Sequence, residues 1–173
     1  MPWPSRDGRV DKGDVMATFD KAIGTVLAHE GGYTVDPNDP GGETKYGISH
    51  RAYPNIDIKS LTLDQAQAIY KRDYWIYSRI QDQDVATKVF DLAVNLGPEA
   101  AHRQLQTALN ALGETVDVDG VFGPETLAAT NRVDPARLLQ ELRAQAAAYY
   151  AQTVLANPSE QKFLLGWMRR AVS

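Results

Sequence analysis

The sequence contains no cysteine. Disulfide staples, thiolate metal centres and cysteine nucleophiles are therefore excluded, and cysteine usage says nothing about the redox state of the compartment. No apolar run approaches the roughly 20 residues that span a bilayer, so stable membrane insertion is not expected. Cations are outnumbered: 18 Lys and Arg stand against 22 Asp and Glu, a formal charge of −4. Phosphate neutralisation needs clustered Lys and Arg, so nucleic acid is not expected as a partner. The start, MPWPSRDGRVDKGDV, is polar and turn-rich, without the apolar centre of a secretory signal. A cytoplasmic protein is expected, one that needs separate help to reach any target outside. No metal and no cofactor is expected.

What remains is an ordinary globular composition, 43% apolar and 23% charged over 173 residues. A chain of this length buries roughly 70% of its unfolded surface, enough for a core without staples. A monomer is expected. Residues 1–15 are expected to be a flexible extension, with the folded region opening at Met16. A first region is then read over 16–97, followed over 98–173 by a helical region that completes the fold.

Apolar periodicity predicts a mainly α domain of about seven helices. Thr18 to His29 reads as the first, with Phe19, Ile23, Val26 and Leu27 on one face, Thr18 as cap and Gly31 and Gly32 as stop. LTLDQAQAIYKRDYWIY is the second, with Thr62 and Gln65 at capping-box spacing. DVATKVFDLAVNLG is the third, capped by Asp84 and closed by Gly97. Pro98, Pro124 and Pro135 suit first helical positions of three more, the last capped by Asp134. A final helix is read over residues 159–171. Residues 114–123 read as a loop with at most one small strand. Its DVDG lacks the other ligands of a calcium loop, so Asp117 to Gly120 reads as turn chemistry.

Between the first two helices lies HEGGYTVDPNDPGGETKYGIS, from His29 to Ser49. Its prolines and glycines exclude a helix and predict a small β-hairpin or ordered loop. Glu30 sits where a helix ends, and the partial negative charge there disfavours a carboxylate. Such a site raises a carboxyl pKa toward what a general acid needs. Asp39, nine residues on, is placed to return across a cleft from Glu30. Two carboxyls flanking a bond are the parts of a glycoside hydrolase. On composition alone, Glu30 reads more readily as a solvated acid, and Asp36 and Asp39 as Asx turns or caps.

The whole string resembles the signature of glycoside hydrolase family 108, N-acetylmuramidases of phage endolysins and related lysis or secretion-associated proteins. It joins Glu-Gly-Gly-Tyr, Asp-Pro-x-Asp-x-Gly-Gly and Thr-x-x-Gly-Ile without a gap. FDLAVNLGPEAAHRQLQTALNALG and VDVDGVFGPETLAA resemble the C-terminal region of the same proteins, described as peptidoglycan-binding. The resemblance covers residues 16–172. It implies a lysozyme-like helical fold whose loop or hairpin carries the active site. It also implies a muramidase acting between N-acetylmuramic acid and N-acetylglucosamine, with Glu30 as the acid. Asp39 and Thr44 occupy the places of the further catalytic residues, with Tyr46 in reserve because the Asp39-to-Thr44 interval is one residue short. Inverting, retaining and transglycosylase outcomes stay open. Tyr33, Tyr46 and Trp75 are candidates to stack on sugars, and Asn95 to bind an acetamido group. The expected partner is peptidoglycan glycan, reached as a phage endolysin through a holin-type hole. A non-catalytic glycan-binding or secretion-accessory protein on the same fold is the alternative.

Overall fold

Seven α-helices and a small sheet make up the described residues, which in this computed structural model are 16–30, 34–35 and 43–173. The helices are α1 (Phe19–Glu30), α2 (Leu63–Asp73), α3 (Gln83–Leu96), α4 (Pro98–Ala111), α5 (Pro124–Arg132), α6 (Pro135–Ala156) and α7 (Leu164–Val172). A 3-10 turn, Pro158–Phe163, precedes α7. Three short strands lie between α1 and α2: β1 (Thr34–Val35), β2 (Glu43–Lys45) and β3 (Ile48–Ser49). They pair antiparallel in the order β1-β2-β3. The mainly α class with a small β element is therefore what the chain adopts. None of the described helices is long and apolar enough to cross a membrane.

The third helix is the axis of the fold. Burial along α3 is not confined to one stripe: Lys88, Val89, Phe90, Asp91, Leu92 and Ala93 are all buried. A helix buried all round lies inside the core, and α1, α4 and α6 pack around this one. Ala22, Ile23 and Val26 meet it from α1, Leu105 and Leu109 from α4, and Leu138 and Leu142 from α6, in one continuous apolar cluster. That cluster runs through both halves of the chain.

Local chemistry explains most helix ends. Thr62 and Gln65 form the capping box, each side chain bonded to the other's backbone N–H. Asp134 caps α6 by accepting from the Arg137 N–H at 2.9 Å. Gly97, at φ +86, separates α3 from α4. Three expectations shift. Asp82, not Asp84, caps α3, because its carboxylate reaches the N–H groups of Asp84 and Val85 at 3.0 Å; Asp84 instead occupies the first turn. The Thr18 hydroxyl and N–H donate to Gln83, whose amide donates back to the Thr18 carbonyl, which pins the start of α1 to the start of α3. The second helix stops at Asp73, freeing Tyr77 to enter the core. No strand forms within residues 114–123. There Asp119 accepts from the Val121 N–H and from Gln106, the turn role expected of DVDG.

Tyr77 ends on a buried histidine. His102 Nδ1 lies 2.9 Å from the carbonyl of Gly120, and its Nε2 lies 2.9 Å from the Tyr77 hydroxyl. A carbonyl only accepts, so Nδ1 carries the proton and Nε2 accepts from Tyr77. The neutral ring is fully satisfied, and burial holds its pKa below the usual histidine value. Between that lowered value and about 6.5, the unfolded chain binds more protons than the native one, so stability falls as pH drops through this window. Urea unfolding at pH 7 and pH 5 should show wild type losing stability more steeply than His102→Asn; parallel losses would contradict the assignment.

Candidate active site

The first helix runs on to Glu30, which becomes its final residue. The helix delivers this carboxylate to the edge of the sheet, with only 18% of the side chain exposed. Oε1 of Glu30 accepts from Arg170 Nη2 at 2.6 Å. Arg170 comes from the last helix, 140 residues away in sequence. Its Nε meets both oxygens of Asp91, at 3.1 and 3.2 Å, and its Nη2 lies 2.9 Å from Asp91 Oδ1. His29 Nδ1 lies 3.0 Å from that same Oδ1. One guanidinium therefore bridges two carboxylates. Asp91 sits in the apolar α3 at 1% exposure, where an uncompensated charge would be prohibitive.

Lys88, one turn before Asp91, adds a second buried cation. Its Nζ donates to the carbonyl of Arg170 at 2.5 Å, which anchors the C-terminal turn of α7. Burial, reinforced by Arg143 and Arg170, pulls its pKa down to about 8, against the attraction of Asp91.

The other side of Glu30 faces the hairpin. Lys45 pairs with Ile48 across a two-residue turn of Tyr46 and Gly47, at φ 52 and 77. Positive φ at both central residues is the hairpin turn that matches strand twist. It strains Tyr46, the one described non-glycine residue at positive φ. Tyr70 secures the turn by donating its hydroxyl to the Tyr46 carbonyl at 2.8 Å. Burial, followed by the Glu30 charge, pushes the Tyr70 pKa upward and keeps it a donor. A Cβ on Gly47 would stand 2.3 Å from the Tyr70 hydroxyl and 2.6 Å from Glu30 Oε2. Backbone, carboxylate and phenol thus converge on one point that only glycine allows.

Of the residues singled out from sequence, Glu30 lies at this point. Tyr46 borders it, half-buried, with Lys45 over its ring at 5.6 Å. Thr44 lies in the central strand, paired with Thr34 and Ser49. Asn95 lies in the last turn of α3 and accepts from the Tyr150 hydroxyl at 2.6 Å; it lines a cavity of about 320 Å³ together with His29 and Arg170. Trp75 is placed elsewhere. It packs edge-on against Phe19, Tyr77 and Phe90, at the opposite end of α1, about 16 Å of helix from Glu30. Trp75 is half-buried against the core there, away from Glu30. Residues 1–15, Gly31, Gly32, Tyr33, Asp36 and Asp39 lie outside the described residues.

Sequence reading did not find Arg170, Asp91 or Tyr70. A signal existed for Asp91: an acid inside the apolar run VFDLAV, if buried with it, requires a cation. Nothing in the spacing of Glu30 and Arg170 could have paired them.

Two family models match the chain in sequence order: "Glycosyl hydrolase 108" over residues 23–97 and "Predicted Peptidoglycan domain" over residues 100–172. A solved structure, "Structure of Brucella abortus SagA", is similar with 32% identity and a TM-score of 0.71, covering 88% of each chain. The chain belongs to the glycosyl hydrolase 108 family. No curated protein shows significant similarity to it. Membership makes this glycosyl hydrolase 108 protein a glycosidase acting on peptidoglycan. The cluster at Glu30 draws on both matched regions, since Arg170 belongs to the peptidoglycan region and Glu30 and Asp91 to the hydrolase region.

Substitutions at two positions test this geometry. Arg170→Met leaves Asp91 buried without its guanidinium and should cost about 3–5 kcal/mol of stability in urea unfolding. Arg170→Lys should recover only part of that, because an ammonium cannot reproduce the two-sided fork. Gly47→Ala should lose about 2–4 kcal/mol from its positive φ and the clash, and should lower activity by displacing Glu30. An unfolding midpoint unchanged from wild type in either Arg170→Met or Gly47→Ala would refute the corresponding contact.

Proposed function

We propose that this glycosyl hydrolase 108 protein is a muramidase, cleaving between N-acetylmuramic acid and N-acetylglucosamine with Glu30 as the general acid. The observation that carries the reading is the fixed carboxyl of Glu30. Arg170 only donates, so Oε1 must be an accepting oxygen. In the acid form the proton then sits on Oε2, the oxygen beside Gly47. Proton transfer from Oε2 to the glycosidic oxygen breaks the bond as the sugar gains oxocarbenium character. Arg170 stabilises the carboxylate that remains, without moving.

Asp39 supplies the second group, orienting water or stabilising the developing charge, and Thr44 assists from the central strand. Tyr46 stands in reserve. A carboxyl separation of roughly 6.5–9.5 Å would leave room for that water and give inversion. The same reading makes the protein a phage-type endolysin that waits in the cytoplasm and reaches the wall through a holin-type hole, acting as a monomer.

Clearing of purified peptidoglycan by Glu30→Gln should fall by about 10²–10⁴. Wild-type turnover in that variant would end the assignment. Asp39→Asn should lower turnover more than binding. Reducing-end analysis must show N-acetylmuramic acid; a glucosaminyl or anhydro end would replace the muramidase reading with glucosaminidase or transglycosylase chemistry.

A further inference from the structure

Arg170 poses a difficulty for an acid. A cation in contact with a carboxyl group favours the ionised form, and Arg170 Nη2 stands 2.6 Å from Glu30 Oε1. The same nitrogen lies 2.9 Å from Asp91 Oδ1, so the two carboxyl groups share one donor atom. Resting on the reading of Glu30 as the general acid, we propose that Asp91 is a positioning residue for the reaction. Its buried charge offsets that of Arg170, so that Glu30 can hold the proton it delivers.

The groups around Glu30 support that division. Asp91 is buried in the core helix α3, where water and salt screen its charge little. It also holds Arg170 through Nε, so the guanidinium is paired more fully with Asp91 than with Glu30. Lys88 joins from the same helix. Burial pulls its pKa down to about 8, so it is still a cation where a carboxyl group titrates. Its ammonium turns to the Arg170 carbonyl rather than to either acid. Arg143 of α6 adds its charge beside Lys88 and bonds the Ser173 carbonyl. The phenols in the field of Glu30, Tyr70 of α2 and Tyr150 of α6, are pushed upward by burial and stay neutral. His29 turns its Nδ1 to Asp91 Oδ1. In the hairpin, Lys45 donates to the Lys59 carbonyl, and Glu43 and Tyr46 are the other ionisable groups. Besides Glu30, Asp91 is the one described acid in contact with Arg170. Without its charge, the cations at Glu30 stand unopposed.

Asp91→Asn removes the charge and keeps the shape. Oδ1 makes three of the four contacts of Asp91, to Arg170 Nε, Arg170 Nη2 and His29 Nδ1, and an amide oxygen accepts in the same way. Lys88→Met removes a cation from the same cluster. Both are built on His29→Gln, so that no imidazole titrates beside Asp91. The Glu30 carboxyl carbon, assigned by its loss in Glu30→Gln, is followed by NMR against pH in the full chain without substrate. Relative to His29→Gln alone, its titration midpoint should fall by about one pH unit in Asp91→Asn and rise by about half a unit in Lys88→Met. The alkaline limb of wall clearing should move in the same two directions. A merely structural role for Asp91 would lower clearing and leave the midpoint in place. If Asp91→Asn is too unstable to titrate, it is combined with Lys88→Met, and the midpoint should fall below that of Lys88→Met alone. A midpoint unmoved or raised by loss of the Asp91 charge, in either background, would overturn the proposal. Failure of Glu30 as the acid appears separately, as wall clearing retained by Glu30→Gln.

Discussion

The guanidinium of Arg170 is the interaction on which the site depends. It is 8% exposed and placed between a nearly inaccessible Asp91 and a half-buried Glu30. Burying three charged groups is unfavourable unless each finds its partners, and the planar fork of an arginine can serve two carboxylates at once. His29 and Lys88 complete the set around Asp91 and the end of α7. The last helix cannot leave without stranding a buried acid, so the Glu30 carboxyl is held by the closing of the whole fold.

A second constraint acts from the opposite side. The Tyr46–Gly47 turn presses its backbone against Glu30, held there by Tyr70. Strain at Tyr46 persists because the hydrogen bond and the adjoining strands over-determine it, a situation that recurs at functional sites. Arg170 fixes one carboxyl oxygen and the turn crowds the other. The freedom of Glu30 is removed from both sides, as a positioned acid requires.

The two matched regions are woven together in space. Helices from both pack on α3 in one core, and both supply charges to one cluster.

Much of the fold was legible in the sequence because its rules are local. Apolar spacing at 3.6 residues, the Thr62–Gln65 box, prolines at helix starts and Gly97 all act within a turn of chain, and each appears where expected. The helix end at Glu30, and the hairpin implied by the glycine- and proline-rich segment, were legible for the same reason. The reach of a side chain was harder to judge. Asp84 and Asp82 are equally good caps by composition, and only backbone direction chose between them. Trp75 follows a helical pattern, but the helix ended before it and laid the ring edge-on against Phe19, Tyr77 and Phe90 at the border of the core. Arg170 lay beyond any local rule, because its meeting with Glu30 arises from how α1, α3 and α7 pack. The sequence by itself determined which segments are helical and that Glu30 ends one of them, since those are short-range consequences of propensity and pattern. Only the tertiary structure decided what surrounds Glu30, because charge pairing across 140 residues exists only once the core has brought the helices together.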